Sequence, residues 1–142
     1  MDRPDRSAFA LFRPADTRWM DNDAYGHLNN VVYYGLFDTS VNAHLIEAGV
    51  LDQMGSEVFG VVAETGCRYF GSVGFPDRLE VGLAVERLGR SSATYRLGVF
   101  RQGDDLVAAA GRFVHVYVDR QTRRPAEVPA AVRALLEPLV RA

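Results

Sequence analysis

Residues 31–48 read VVYYGLFDTSVNAHLIEA, and this stretch decides the fold. Tyr34, Phe37, Val41, Leu45 and Ala48 recur at the spacing of one helical face, and Val32, Leu36 and Ile46 widen that face into a broad apolar stripe. Asp38, Asn42 and Glu47 interrupt it. The pattern predicts one helix of about 27 Å, most of it enclosed by other structure. Asn29 or Asn30 suits the cap at its start, and Gly49 suits the stop just past its end.

Beyond the helix the period changes to two. Residues 58–70 are expected as a strand. In 79–88, Leu79, Val81, Leu83 and Val85 alternate with Glu80, Gly82, Ala84 and Glu86, the pattern of a half-buried antiparallel strand. Residues 93–101 alternate again, with Tyr95, Leu97 and Val99 on one side. The turn Gln102-Gly103-Asp104-Asp105 leads into residues 106–119, apolar on both faces and so expected inside the sheet. Val132, Leu135, Leu136 and Leu139 mark a short C-terminal helix, with Pro138 limiting its last turn. Upstream, Phe9, Leu11, Phe12, Trp19 and Met20 make residues 8–20 a first strand, weakened by Pro14. A strand, a long apolar helix and four strands with short connections predict a single α+β domain. Its last four strands should be antiparallel neighbours in chain order, curled as one sheet around the helix.

With 142 residues, roughly 68% of the unfolded surface can be buried, so a core forms without disulfides or metal. The net charge of −2 excludes a global pull toward nucleic acid or anionic membrane. All sixteen basic residues are arginine, which fits a GC-rich bacterial genome and excludes a Schiff-base or P-loop lysine. The single cysteine, Cys67, has no internal disulfide partner, as in a reducing compartment. The first twenty residues carry four arginines and no signal-peptide core, and no run approaches a membrane span. A soluble cytoplasmic protein is expected. His27, His44 and His115 lack metal-ligand spacing, and there is no Gly-x-Ser-x-Gly elbow. The chemistry is expected to need no metal or cofactor.

The loop before the helix, Asp21-Asn22-Asp23-Ala24-Tyr25-Gly26-His27-Leu28-Asn29-Asn30, contains the residues a turn and a helix cap require. It also has chemistry to offer. The first N–H groups of a helix are unpaired and carry partial positive charge. They can hold a carbonyl oxygen and stabilise the oxyanion formed when an acyl carbonyl is attacked. Asp23, seven positions before Asn30, brings a carboxylate that can attack that carbonyl or activate a water.

The segment from Thr17-Arg18-Trp19-Met20-Asp21-Asn22-Asp23 through Tyr33, with Asp38 further on, resembles the hotdog-fold thioesterases. The nearest type is the 4-hydroxybenzoyl-CoA thioesterases and their short acyl-CoA hydrolase relatives. The resemblance covers nearly the whole chain. It implies an antiparallel sheet wrapped around one long central helix, hydrolysis of an acyl-CoA or acyl-ACP thioester, and a homodimer or homotetramer with sites at the interface. It also places the catalytic carboxylate on Asp23 and the polarising backbone N–H on Asn30. Coenzyme A contacts fall on Arg90 and Ser92, with Ser91 between them; without the resemblance, Arg90-Ser91-Ser92 is a hairpin connection. Gly26-His27-Leu28-Asn29-Asn30 is also similar to the Gln-His-Val-Asn-Asn segment of plant acyl-carrier-protein thioesterases. His27 matches that family's His, while Tyr25 stands where its Asn would be. His27 is therefore expected either to orient a water or the acyl group, or to hydrogen-bond within the loop.

Other readings stay open. Asp38 is a rival carboxylate, or a helix-face residue at a dimer interface. Glu64 is a weaker candidate of the same kind. Tyr33, Tyr34 and Phe37 either line an aryl pocket or belong to the core. Arg123 and Arg124 are expected in a solvated loop. A hotdog dehydratase or hydratase pairing His27 with Asp38 and a non-catalytic acyl-CoA-binding module are the functional alternatives.

Overall fold

The computed structural model describes residues 2–52 and 54–141. In chain order it contains β1 (Leu11–Asp16), α1 (Asn30–Glu47), β2 (Val58–Tyr69), β3 (Arg78–Leu88), β4 (Ser92–Arg101), β5 (Ala109–Asp119) and α2 (Ala130–Leu136). The five strands form one antiparallel sheet in the order β1-β3-β4-β5-β2.

That order corrects one expectation. β2 does not lie beside β3; it pairs with β5 at the far edge, Val58 opposite Asp119 and Tyr69 opposite Ala109. Alternation shows which face a side chain takes, but not which strand lies beside it. Residues 70–77 have to cross three strand spacings, about 14 Å, well within the reach of eight residues. Their path runs over one end of the sheet, where it meets the loop before α1.

The remaining strands lie close to where the alternation put them. β5 is an inner strand, as its two apolar faces require. β1 is shorter than expected: 3-10 turns at Arg6–Ala8 and Trp19–Asp21 replace its ends. Pro14 is accommodated because β1 is an edge strand, where a missing N–H breaks no inner ladder.

α1 starts where Asn29 caps it, the Asn29 Oδ1 accepting the Val31 N–H at 3.1 Å. It ends on Gly49 at φ +76°, a left-handed position where glycine meets no Cβ penalty. There the Gly49 N–H donates to the Ile46 carbonyl and the Val50 N–H to the Leu45 carbonyl, satisfying the last turn. Tyr33, Phe37, Val41 and Leu45 bury one stripe in a core shared with Leu79, Val81, Leu83, Tyr95, Leu97 and Val99. Less of the helix is covered than its apolar pattern suggests. Val31, Gly35, Asp38, Thr39 and Ile46 are exposed, because only one face meets the sheet. Among the described residues no helix is long and apolar enough to cross a membrane.

Candidate active site

The loop from Asp21 to Asn30 is pinned from both sides. Asp21 is buried, and its carboxylate accepts the Arg18 backbone N–H at 2.9 Å and the Arg18 guanidinium at 2.9 and 3.1 Å. Those guanidinium hydrogen bonds hold its carboxyl below the usual carboxylate range. The Asp21 carbonyl accepts the Asn29 N–H at 2.8 Å. Asp21 is thus occupied in fixing the loop. Asp23 has the other role available. Its Oδ1 accepts the backbone N–H groups of Tyr25 at 2.8 Å and His27 at 3.3 Å, which fixes the carboxylate's direction. Among the described residues its Oδ2 meets no donor.

Across the loop lies the crossover of residues 70–77. The Leu28 N–H donates to the Val73 carbonyl at 2.8 Å, and the Phe75 N–H donates to Asn22 Oδ1 at 2.9 Å. Gly74 is where the two segments come closest. A Cβ there would stand 2.8 Å from the Gly26 carbonyl oxygen and 3.0 Å from Asn22 Oδ1.

Together these segments frame a cleft of about 260 Å³ lined by Asp23, His27, Asn29, Asn30, Tyr33, Tyr69 and Ser72. Val31 and Val32 donate to the Asn29 side chain and carbonyl, while among the described residues the Asn30 N–H has no acceptor. Tyr33 is buried, and its phenol is pushed up to about 12 by that burial, with the charges of Cys67 and Asp23 adding to it. Its ring meets Tyr69 edge-on at 5.1 Å. The His27 side chain is exposed at the rim of the cleft, while its main chain closes the loop, its carbonyl accepting the Asp23 N–H at 2.7 Å.

Four of the expected site residues, Asp23, His27, Asn30 and Tyr33, therefore share one cleft. The others do not reach it. Arg90, Ser91 and Ser92 occupy the β3–β4 hairpin, at the end of β3 remote from the loop. The 11 residues of β3 place them about 30 Å from Asp23 within one chain. Arg123 and Arg124 are exposed, as expected of a loop. Asp38 lies two turns along α1, about 12 Å from its start, exposed and hydrogen-bonded to Asn42 Nδ2 at 3.0 Å. Within one chain it does not face His27. Glu64 points outward and pairs with Arg112. Phe37 belongs to the core, not to a pocket wall.

A larger cleft of about 540 Å³ runs between β1 and α1. Its acids are Asp16 and the occupied Asp21, and no helix-start N–H opens into it. Size alone does not select the site. Among the described residues no three His, Cys, Asp or Glu side chains gather around a metal-sized space.

Three cleft residues, Tyr69, Gly71 and Ser72, had no signal in the sequence. Each reaches the loop only because β2 ends beside the start of α1.

The profile of the thioesterase-like superfamily matches residues 17–136 of this chain. The chain belongs to that superfamily. The match takes in the loop, α1 and all of β2 through β5, so this thioesterase carries its candidate site within the matched region. Among solved structures it is similar to the PA5185 protein of Pseudomonas aeruginosa strain PAO1, with 50% identity and a TM-score of 0.96 over 99% of each chain. It is also similar to PA2801 of the same species, a candidate thioesterase, at 28% identity and a TM-score of 0.81 over 87% of this chain and 95% of that one. Slr0204 of Synechocystis, a 1,4-dihydroxy-2-naphthoyl-CoA thioesterase, shares the fold at 13% identity and a TM-score of 0.80, covering 88% and 93% of the two chains. No curated protein matches the sequence. The five-stranded antiparallel sheet with its helices is the hotdog arrangement of these structures, and thioester hydrolysis is the reaction class that the superfamily supports.

Proposed function

We propose that this thioesterase hydrolyses acyl-CoA or acyl-ACP thioesters with Asp23 as its catalytic carboxylate and the Asn30 N–H as its oxyanion donor. One observation carries the proposal: the directed Asp23 carboxylate and the unpaired helix-start N–H open into the same cleft. The thioester carbonyl oxygen sits at the helix start. Asp23 either takes a proton from the attacking water or attacks the carbonyl carbon itself, giving an anhydride that water then cleaves. Charge develops on the carbonyl oxygen and is held by the Asn30 N–H and the helix end. Collapse expels the thiolate, which takes up the proton, leaving a carboxylic acid and a free thiol.

The working unit in this reading is a homodimer or homotetramer. β2 leaves an open sheet edge and α1 an exposed apolar flank, and a second copy can cover both. Such an assembly encloses α1 as a central helix. It also allows Arg90, Ser91 and Ser92 of the partner to meet coenzyme A phosphates at a site they cannot reach within their own chain. Tyr33 and Tyr69 form the aromatic wall against which the acyl group lies.

The test is Asp23→Asn beside Asp38→Asn, assayed by thiol release. Asp23→Asn keeps the side-chain shape but removes the charge, and kcat should fall by about 10²–10⁴. Asp38→Asn should cost far less. An active Asp23→Asn with an inactive Asp38→Asn would move the site onto the helix, and wild-type turnover in both would end the mechanism.

A further inference from the structure

Tyr69 is the last residue of β2, and the sheet holds it firmly. It pairs with Ala109, and the next two N–H groups, of Phe70 and Gly71, both donate to the Ala108 carbonyl at 2.8 and 3.0 Å. From this anchored position the Tyr69 hydroxyl donates to the Asn30 carbonyl at 3.0 Å, joining residues 39 apart in the chain. Asn30 is the first residue of α1, and first turns fray unless something holds them. The Asn29 cap satisfies the N–H of Val31 but does not connect the helix start to the sheet. Desolvation at its hydroxyl end raises the Tyr69 phenol, with Cys67 and Tyr34 adding to the shift, so the hydroxyl remains a donor throughout the working range. Its ring is nearly half exposed, so it contributes little to the core.

We infer that Tyr69 is a positioning residue whose hydroxyl clamps the first turn of α1 to the end of β2 and so holds the Asn30 N–H in register with the developing oxyanion. The inference rests on the roles proposed above for Asp23 and Asn30. An oxyanion donor has to lie about 2.7–3.1 Å from the charged oxygen, and a misplacement of about 1 Å can cost 10²-fold in rate. A clamp on the Asn30 carbonyl, joined to the Asn30 N–H through one Cα, therefore acts on turnover more than on binding. A ring that only walled the cleft would act on binding.

Tyr69→Phe keeps the ring and its contact with Tyr33 and removes only the hydroxyl; Tyr69→Leu removes both. Both variants are assayed with acetyl-, hexanoyl- and benzoyl-CoA, whichever turns over fastest, with Asp23→Asn as reference. Hydrogen exchange across residues 30–37 is measured in parallel. In Tyr69→Phe, kcat should fall about 3- to 10-fold, the range expected for one neutral hydrogen bond. KM should stay within about twofold, and exchange in the first turns of α1 should quicken by a similar 3- to 10-fold. Tyr69→Leu should show the same kcat loss with a raised KM. Wild-type kcat in Tyr69→Phe, a loss confined to KM, or unchanged exchange would each overturn the clamp. If Asp23→Asn is inactive while Tyr69→Phe matches wild type, only the Tyr69 inference falls. If Asp23→Asn is fully active, the underlying mechanism falls instead. The exchange measurement stands even if none of the three thioesters is turned over.

Discussion

Gly74→Ala tests whether the loop that carries Asp23 is held by the crossover from β2 to β3. The added Cβ would lie 2.8 Å from the Gly26 carbonyl oxygen, 3.0 Å from Asn22 Oδ1 and 3.4 Å from His27 Cα. Ordinary carbon–oxygen contact begins near about 3.3 Å, so the loop has to retreat by about 0.5 Å. The Asn22 side chain can rotate aside, but the Gly26 oxygen is backbone and moves only with the loop that carries Asp23. If a 1 Å displacement costs about 10²-fold, half of that predicts roughly a tenfold loss of kcat, with KM nearly unchanged. Overpacking should also cost about 1–3 kcal/mol, near the lower end because Gly26 faces solvent. For a chain of this size each kcal/mol lowers Tm by about 2–4 °C. Steady-state thiol release and calorimetry give both quantities from one preparation. A variant with wild-type kcat and Tm would mean that the two segments are not rigidly joined, and that Asp23 owes its position to the loop alone.

Other outcomes follow from the same structure. If Arg90 binds coenzyme A phosphates, Arg90→Ala should raise KM for acyl-CoA about 10- to 150-fold while leaving a truncated thioester almost untouched. Equal losses on both substrates would make the residue structural. If the partner supplies that contact in a dimer, mixing Arg90→Ala with Asp23→Asn chains should restore about a quarter of wild-type activity at acyl-CoA concentrations well below the KM of Arg90→Ala, since half the dimers then carry one intact site; no recovery would put Arg90 outside a shared site. His115 is buried on β5, and burial pushes its imidazole down to about 4, so it folds neutral. Between its ordinary value of about 6.5 and about 4, the unfolded chain binds a proton that the folded chain refuses. Stability should therefore be full above about pH 6.5 and decline toward pH 4, by up to roughly 3 kcal/mol from this residue. In His115→Phe that part of the Tm–pH curve should flatten, and an unchanged slope would clear His115 of the effect.

What could be read in the sequence was what local chemistry decides. The Asn29 cap and the Gly49 stop depend on neighbours within a few residues, and each lies where the pattern put it; the apolar stripe of α1 holds at Phe37, Val41 and Leu45, while Tyr33 rather than Tyr34 is buried above them and Ala48 and Ile46 are exposed. The alternation in β3 and β4 identified those strands and one buried face of each, and the two apolar faces of β5 marked it as an inner strand; the second buried face of β3 and β4, where Ala84 and Phe100 pack with Phe9 and Val107, was not expected. Pairing is a different kind of information. Nothing in residues 58–69 distinguishes a strand beside β3 from one beside β5, since both would bury the same alternate side chains. The same gap separates Asp21 from Asp23. The local pattern alone does not separate the two acids, and it was the resemblance that pointed to Asp23; in the structure the Arg18 guanidinium folds onto Asp21, while Asp23 lines the cleft. The candidate site lies where these two unreadable facts meet. A loop rich in turn residues can supply a carboxylate and a helix start, but it cannot hold them in fixed relation by itself. That relation depends on β2 reaching the far edge of the sheet, so that Tyr69 ends beside Asn30 and the crossover passes under Gly26. A chain with this loop on a sheet ordered β2-β3-β4-β5 would keep every residue of the motif and lose the contacts that orient it.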